Sequence, residues 1–325
     1  VVAPEMIAPI TAHPAFYKAA DYPGVAVVHT GLRDDFRADP AEIERAITPN
    51  TVLIVGSAPN YPFGTIDPID EIAAIAQAHD IPCHVDSCLG GYLLPFLERL
   101  GEDVRPWDFR VPGVSSISAD NHKYGFAARG ASTVMYRDAE YRRHQFFAYA
   151  DWPGGLYGSP TMTGSRPGAA IAAAWAVMNY LGEDGYKRLA RITWDTTQAL
   201  RKGIDGIDGL KVVGDPDMSV FAFTGDGIDI NAVGDAMDMA GWHPDRQHLP
   251  ASLHVMVTPA HENVVEPFLE ALRDSVNKVR SGEVTASERA AMYGALDHMP
   301  DRGPVRDFIV GALERITAHE GMANP

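Results

Sequence analysis

Between Val1 and about residue 137, short apolar runs alternate with stretches of helical character, and this alternation most constrains what the chain can fold into. Residues 7–10, 25–29, 52–55, 81–85, 115–118 and 131–136 read as strands, with helical stretches such as 40–47 and 70–79 between them. Such an order argues for an α/β architecture with a largely parallel sheet. Residues 141–168 break the pattern, being irregular and rich in aromatics, glycine and proline, and read as an active-site and interface loop. A long helical region, 169–204, then leads to strands at 210–213, 218–224 and 253–257 and helices at 230–240 and 264–280. The expected organisation is a large domain over 1–182 and a smaller C-terminal α/β domain over 183–325. The tail from Ala286 is expected to be helical in part.

At 325 residues and 46% hydrophobic content, the chain can bury a core sufficient for about two such domains. A net charge of −16 argues against a nucleic-acid partner and for a soluble cytoplasmic enzyme. An anionic substrate would then need locally clustered cations. Only two cysteines occur, Cys83 and Cys88, so neither a disulfide framework nor a zinc-type spacing is present. His243, His248, His254 and His261 show no ligand spacing and read as surface or core residues. No apolar stretch is long enough to span a membrane, and no signal peptide is evident.

Two motifs carry the chemistry. In SISADNHKYGFAARG (116–130), Lys123 follows a histidine and precedes a glycine-containing turn. A lysine whose amine can be deprotonated by partial burial forms a Schiff base with an aldehyde, which makes Lys123 a candidate carrier of pyridoxal phosphate. In HVDSCLGGYLLPF (84–96), Asp86 ends a short strand, where ligands sit in open α/β sheets. A carboxylate there suits the pyridine nitrogen of such a cofactor, although a strand-terminal aspartate is also a common turn former. Asp86 precedes Lys123 by 37 residues, enough for a further segment and strand, so both can face one pocket. His13 ends the strand 7–10, and a flat imidazole could cover the ring face. Ala58 and Asn60 are weaker candidates for the pocket wall. The loop residues Gly164, Ser165 and Arg166 precede an alanine-rich helix and offer amides and a hydroxyl to an oxyanion.

With TAHPAF (11–16), GSAPNYPFGTIDPIDEI (56–72) and DWPGGLYGSPTMTGSRPG (151–168), these motifs resemble the sphingosine-1-phosphate lyase family in order and spacing. Similarity continues to AMYGALDHMP (291–300). That family lies within the PLP-dependent transferase-like enzymes of fold type I, related to the group II decarboxylases. The resemblance implies that Lys123 carries the Schiff base, Asp86 pairs with the pyridinium nitrogen, His13 stacks on the ring and His122 contacts the cofactor phosphate. It implies that the loop at Gly164 and Ser165 crosses a homodimer interface to a shared active site, with Arg129 and Tyr124 against the substrate. The implied reaction is retro-aldol cleavage of phosphorylated long-chain sphingoid bases to a fatty aldehyde and phosphoethanolamine. An amino-acid decarboxylase and a catalytically silent dimer of the same fold are the alternatives.

Two positions depart from the family pattern. Arg129 stands where the lyases usually carry lysine, keeping the charge but presenting a planar fork. Asn121 stands where threonine is common. The chain also opens directly into a strand. The resemblance implies an N-terminal extension and a phosphate-holding loop without counterpart here, so a partial chain is expected.

Overall fold

The computed structural model describes residues 1–287 and 301–317. Six strands, β1 (Glu5–Pro9), β2 (Ala26–Thr30), β3 (Thr51–Ser57), β4 (Cys83–Asp86), β5 (Val114–Ala119) and β6 (Thr133–Tyr136), form one sheet in the order β2-β1-β3-β4-β5-β6. All neighbours run parallel except β5 and β6, which pair antiparallel at the sheet edge. Of the central strands, β3 (TVLIVGS) is the richest in β-branched residues, as suits a strand covered on both faces. Ile7, Ile54, Val85 and Ile117 are buried in a single core.

Helices α1 (Ala15–Asp21), α2 (Pro40–Ala46), α3 (Ile69–Ala78) and α4 (Leu94–Arg99) cover the sheet. In α2, Asp39 accepts from the amide of Ala41 as N-cap and Pro40 occupies the first turn, where its missing N–H costs nothing. Along α3, Ile69, Ile72, Ala73 and Ala76 lie at the spacing that makes one buried stripe. Asp67, fully buried just before α3, accepts the backbone amides of Ala38 at 2.9 Å and Ser57 at 2.8 Å, which ties the loop before α2 to the end of β3.

The irregular segment contains a short helix α5 (Ala139–Arg143) and a hairpin of β7 (Phe147–Tyr149) and β8 (Tyr157–Ser159). Neither was expected. Then α6 (Gly168–Asp205) runs 38 residues, interrupted at Gly182, whose φ of 56° is left-handed. Ala190 of α6 joins the large core, while Leu200 and Ile204 join a second core. That second core lies under a four-stranded antiparallel sheet ordered β11-β12-β10-β9, made of β9 (Leu210–Val212), β10 (Val220–Gly225), β11 (Asp245–His248) and β12 (Ala251–Met256). Helices α7 (Ile230–Met239) and α8 (Val265–Arg280) complete it.

The sequence reading missed β11, whose residues Asp-Arg-Gln-His carry no strand signal. A last helix spans Gly303–Thr317. The stretch 291–300, which contributes to the family resemblance, lies outside the described residues, as does most of the tail from Ala286 to residue 300. No helix among the described residues is long and apolar enough to cross a membrane.

The two halves meet through a small apolar cluster of Phe63, Val213 and Ala222 and through polar contacts. The buried Arg37 guanidinium bonds Asp217 at 2.5 Å and the carbonyl of Ile66, and His254 bonds the carbonyl of Tyr61 at 2.9 Å.

Candidate active site

A cavity of about 690 Å³ opens at the carboxyl ends of β1, β3, β4 and β5 and is closed on its other side by Leu189 of α6 and by Met256, Thr258 and Pro259 after β12. This is where an open α/β sheet presents loops rather than strands to a ligand. His13, Asp86, His122, Lys123, Tyr124 and Arg129 all line it. The topology explains the convergence: parallel strands point every carboxyl end the same way, so residues far apart in sequence share one rim.

Lys123 lies in the turn that follows β5. Its Nζ is 2.9 Å from Oδ2 of Asp120, one turn earlier, and about a third of its side chain is exposed. Burial pushes the Asp120 carboxyl up, but hydrogen bonds from Ser132 and Lys123 and the nearby charges outweigh it and hold the group below the ordinary carboxylate range. Asp120 therefore stays anionic beside the amine. It was not singled out from sequence, although its offset of three residues from Lys123 is a readable signal. His122 bonds the carbonyl of Ala131 through Nδ1 at 3.3 Å and lies 3.9 Å from Asp120.

Asp86 ends β4 with Oδ1 accepting from the Cys88 amide at 3.0 Å and from the Ser118 hydroxyl at 3.1 Å. Cys88 also lines the cavity, and burial, with Asp86 adding, pushes its thiol up so that it stays protonated. Both cysteines are free. His13 accepts from the Ala15 amide through Nδ1 at 3.1 Å, which fixes the ring at the cavity's edge. Arg129 is exposed on the rim and makes no ion pair among the described residues.

Other expected residues stand differently. The Tyr124 ring borders the cavity, but its hydroxyl donates to the carbonyl of Val257 at 2.8 Å and accepts from Ser219 at 2.5 Å. Gly164 and Ser165 lie in an exposed loop and do not line the cavity within this single chain. Ala58 and Asn60 do not line it either. Asn60 organises its own turn, donating to Thr65 at 2.7 Å and accepting from Phe63 at 3.0 Å, and the wall there is formed by Ser57, Pro59 and Tyr61. Asn121 donates to the Tyr92 hydroxyl at 2.9 Å. His254 is buried, His243 pairs with Asp238 at 2.7 Å and His261 caps the turn after β12.

The donor set fits pyridoxal phosphate. A primary amine, a carboxylate anchored through one oxygen and an imidazole edge share a cavity of the size that encloses a small cofactor and part of a substrate. Lys123 would hold its aldehyde carbon, Asp86 its ring nitrogen, His13 its face and His122 its phosphate.

The family model described as the pyridoxal-dependent decarboxylase conserved domain matches residues 4–225. Sphingosine-1-phosphate lyases of Oryza sativa and Arabidopsis thaliana are 46% and 45% identical over 316 residues, covering 97% of this chain and 58% of each relative. The chain thus spans less than two thirds of the length of these curated relatives. The solved sphingosine-1-phosphate lyase of Burkholderia pseudomallei superposes with a TM-score of 0.87 at 40% identity, over 97% of this chain and 68% of that one. A Lactobacillus brevis glutamate decarboxylase shares the fold, with a TM-score of 0.74 at 21% identity over 85% of this chain and 66% of its own. With these matches and the cavity described, the chain belongs to the pyridoxal-dependent decarboxylase family and, within it, to the sphingosine-1-phosphate lyases.

Proposed function

We propose that this chain forms the catalytic core of a pyridoxal-phosphate-dependent lyase, a cytoplasmic homodimer that cleaves phosphorylated long-chain sphingoid bases between C2 and C3 to a fatty aldehyde and phosphoethanolamine. The observation that carries the reading is that Lys123, Asp86, His13 and Arg129 line one cavity at the carboxyl ends of the parallel strands. When bound, the cofactor supplies an electron sink for the pair released at C2. The remaining work falls to the protein. Asp86, on the cavity wall, would keep a proton on a ring nitrogen placed against it. Arg129 offers a planar fork of N–H donors to the substrate phosphate. Lys123 Nζ moves protons: as the free amine it takes the C3 hydroxyl proton, and as the ammonium it returns one at C2. Asp120, anionic at 2.9 Å, stabilises the ammonium form between those steps. The cavity wall of Leu89, Phe126, Leu189 and Met256 would limit the access of water to the reacting carbons.

A homodimer is supported by apolar side chains left exposed in the single chain, among them Phe147, Trp152 and Tyr157 of the hairpin region and Trp175 and Tyr180 on α6. A partner covering them would also receive the loop of Gly164 and Ser165 beside its own cavity. The test is incubation of the full-length protein with pyridoxal phosphate and a phosphorylated long-chain base. Fatty aldehyde and phosphoethanolamine are expected, and an imine absorbance that disappears in Lys123→Ala. Carbon dioxide from an aromatic or acidic amino acid, without aldehyde, would overturn the lyase reading.

A further inference from the structure

A parallel sheet covered on both faces is ordinarily filled with apolar side chains, yet one face of the β4–β5 pair is polar over two successive rungs. His84 and Asp86 point to one face of β4, and the register sets them opposite Ser116 and Ser118 of β5. The four side chains are connected. His84 Nδ1 lies 2.8 Å from Ser116 Oγ, His84 Nε2 lies 3.2 Å from Ser118 Oγ, and Ser118 Oγ lies 3.1 Å from Asp86 Oδ1. The Cys88 thiol adds a donor to Ser118 at 3.4 Å, and Phe16 packs edge-on against the imidazole at 5.7 Å between centroids.

The protons in this chain have one consistent assignment for a neutral imidazole. An ionised Asp86 only accepts, so Ser118 must give Oδ1 its single hydroxyl proton. The Ser118 oxygen is then an acceptor, which puts the imidazole proton on Nε2. Nδ1 is bare and takes the hydroxyl proton of Ser116. Burial pushes the His84 imidazole below its ordinary value, against the opposing pull of Asp86, in keeping with a neutral ring. Oδ1 of Asp86 is thereby held by two donors, Ser118 and the Cys88 amide, whereas Oδ2 has no hydrogen-bond partner among the described residues.

We propose that His84 and Ser118 are positioning residues for Asp86: the relay from Ser116 through His84 and Ser118 fixes Oδ1 and turns Oδ2 into the cavity, where it meets the cofactor's ring nitrogen. The inference rests on the cofactor reading above and goes beyond it by assigning work to residues that do not line the cavity. His84 acts through Ser118, and Ser118 through Asp86. The polar rungs are thus a support under the acid, built into two interior strands of the sheet.

The test compares Ser118→Ala with Ser118→Thr, and His84→Leu with His84→Gln, in the full-length protein. Gln places an amide N–H near the position of Nε2, and Thr keeps the hydroxyl. The readouts are the dissociation constant of pyridoxal phosphate from titration of the apoprotein, the separate values of kcat and KM, and the melting temperature. As for outer-shell partners at other sites, Ser118→Ala and His84→Leu are expected to weaken cofactor binding and lower kcat by about tenfold or more with KM little changed, while Thr and Gln stay within about threefold of wild type. Equal losses in Ser118→Ala and Ser118→Thr, or cofactor affinity and kcat in Ser118→Ala within about threefold of wild type, would overturn the proposal. If His84→Leu does not fold, the Ser118 pair decides alone. Wild-type protein that takes up no cofactor overturns the cofactor reading and this inference together, whereas normal uptake with an indifferent Ser118→Ala overturns only the inference.

Discussion

Arg129 reaches the cavity rim and makes no ion pair among the described residues, in a chain whose net charge is −16. In the reading proposed above, its planar fork would take the substrate phosphate. Arg129→Ala should raise KM for the phosphorylated base by about tenfold or more with a smaller effect on kcat, and Arg129→Lys should recover part of that loss. Steady-state kinetics with phosphorylated and dephosphorylated bases measures it, since the dephosphorylated base should be indifferent to either change. At this scale the sequence was informative wherever the chemistry is local. Lys123, Asp86 and His13 each sit at the end of a recognisable strand or in a turn after one, and they do share a cavity. Tyr124 shows what sequence could not supply. Its hydroxyl is engaged by Val257 and Ser219, more than 90 residues away, and only the tertiary structure reveals that. Asp120 and Ser118 were inside the quoted motif without a role: the offset of three residues that pairs Asp120 with Lys123 could have been read, whereas the contact of Ser118 with Asp86 crosses between strands and has no local signature.

The six strands of the large sheet were legible because each is a short, largely apolar run bounded by turn residues or helical stretches, and each observed strand overlaps its expected range within about two residues. The elements that were missed are those with weak local signals. Strand β11 is polar and exists through its pairing with β12, and the β7–β8 hairpin is built from aromatics and glycine without a clean period. Between elements, Asp67 has a measurable consequence. Burial raises its carboxyl to about 6, against the lowering effect of the Ala38 and Ser57 amides and Arg37. Relative to an unfolded value near 3.9, the folded protein holds the extra proton between about pH 4 and pH 6, so this group's contribution to stability falls as pH rises through that window and is level above it. Denaturant unfolding from pH 4 to pH 7 should show this component in wild type and lose it in Asp67→Asn. The variant should also be less stable throughout, because an amide nitrogen cannot accept from either Ala38 or Ser57.

The two cores act as one body only while their junction is intact. Gly64 lies at that junction with φ of 69°, and a Cβ there would fall 1.7 Å from the carbonyl of Val220 in β10. Gly64→Ala should therefore cost more than about 2 kcal/mol and separate the unfolding of the two halves, visible as a broadened or split calorimetric transition. Assembly sets a second expectation. Trp175 is 65% exposed and Tyr180 is 90% exposed in the single chain, more apolar surface than an isolated helix face ordinarily leaves in water. Sedimentation should give a dimer, and Trp175→Glu should weaken it by at least about tenfold, as removal of a central aromatic anchor does. Tyr124 has a further meaning at this scale. It follows Lys123 directly, and its hydroxyl is fastened to Val257 and Ser219 of the other half of the molecule. The residue beside Lys123 is therefore tied to the segments that flank the antiparallel sheet. The place of Lys123 is thus set twice over, by its own backbone after β5 and by a neighbouring ring pinned where β10 begins and β12 ends, so the two sheets share in locating one amine.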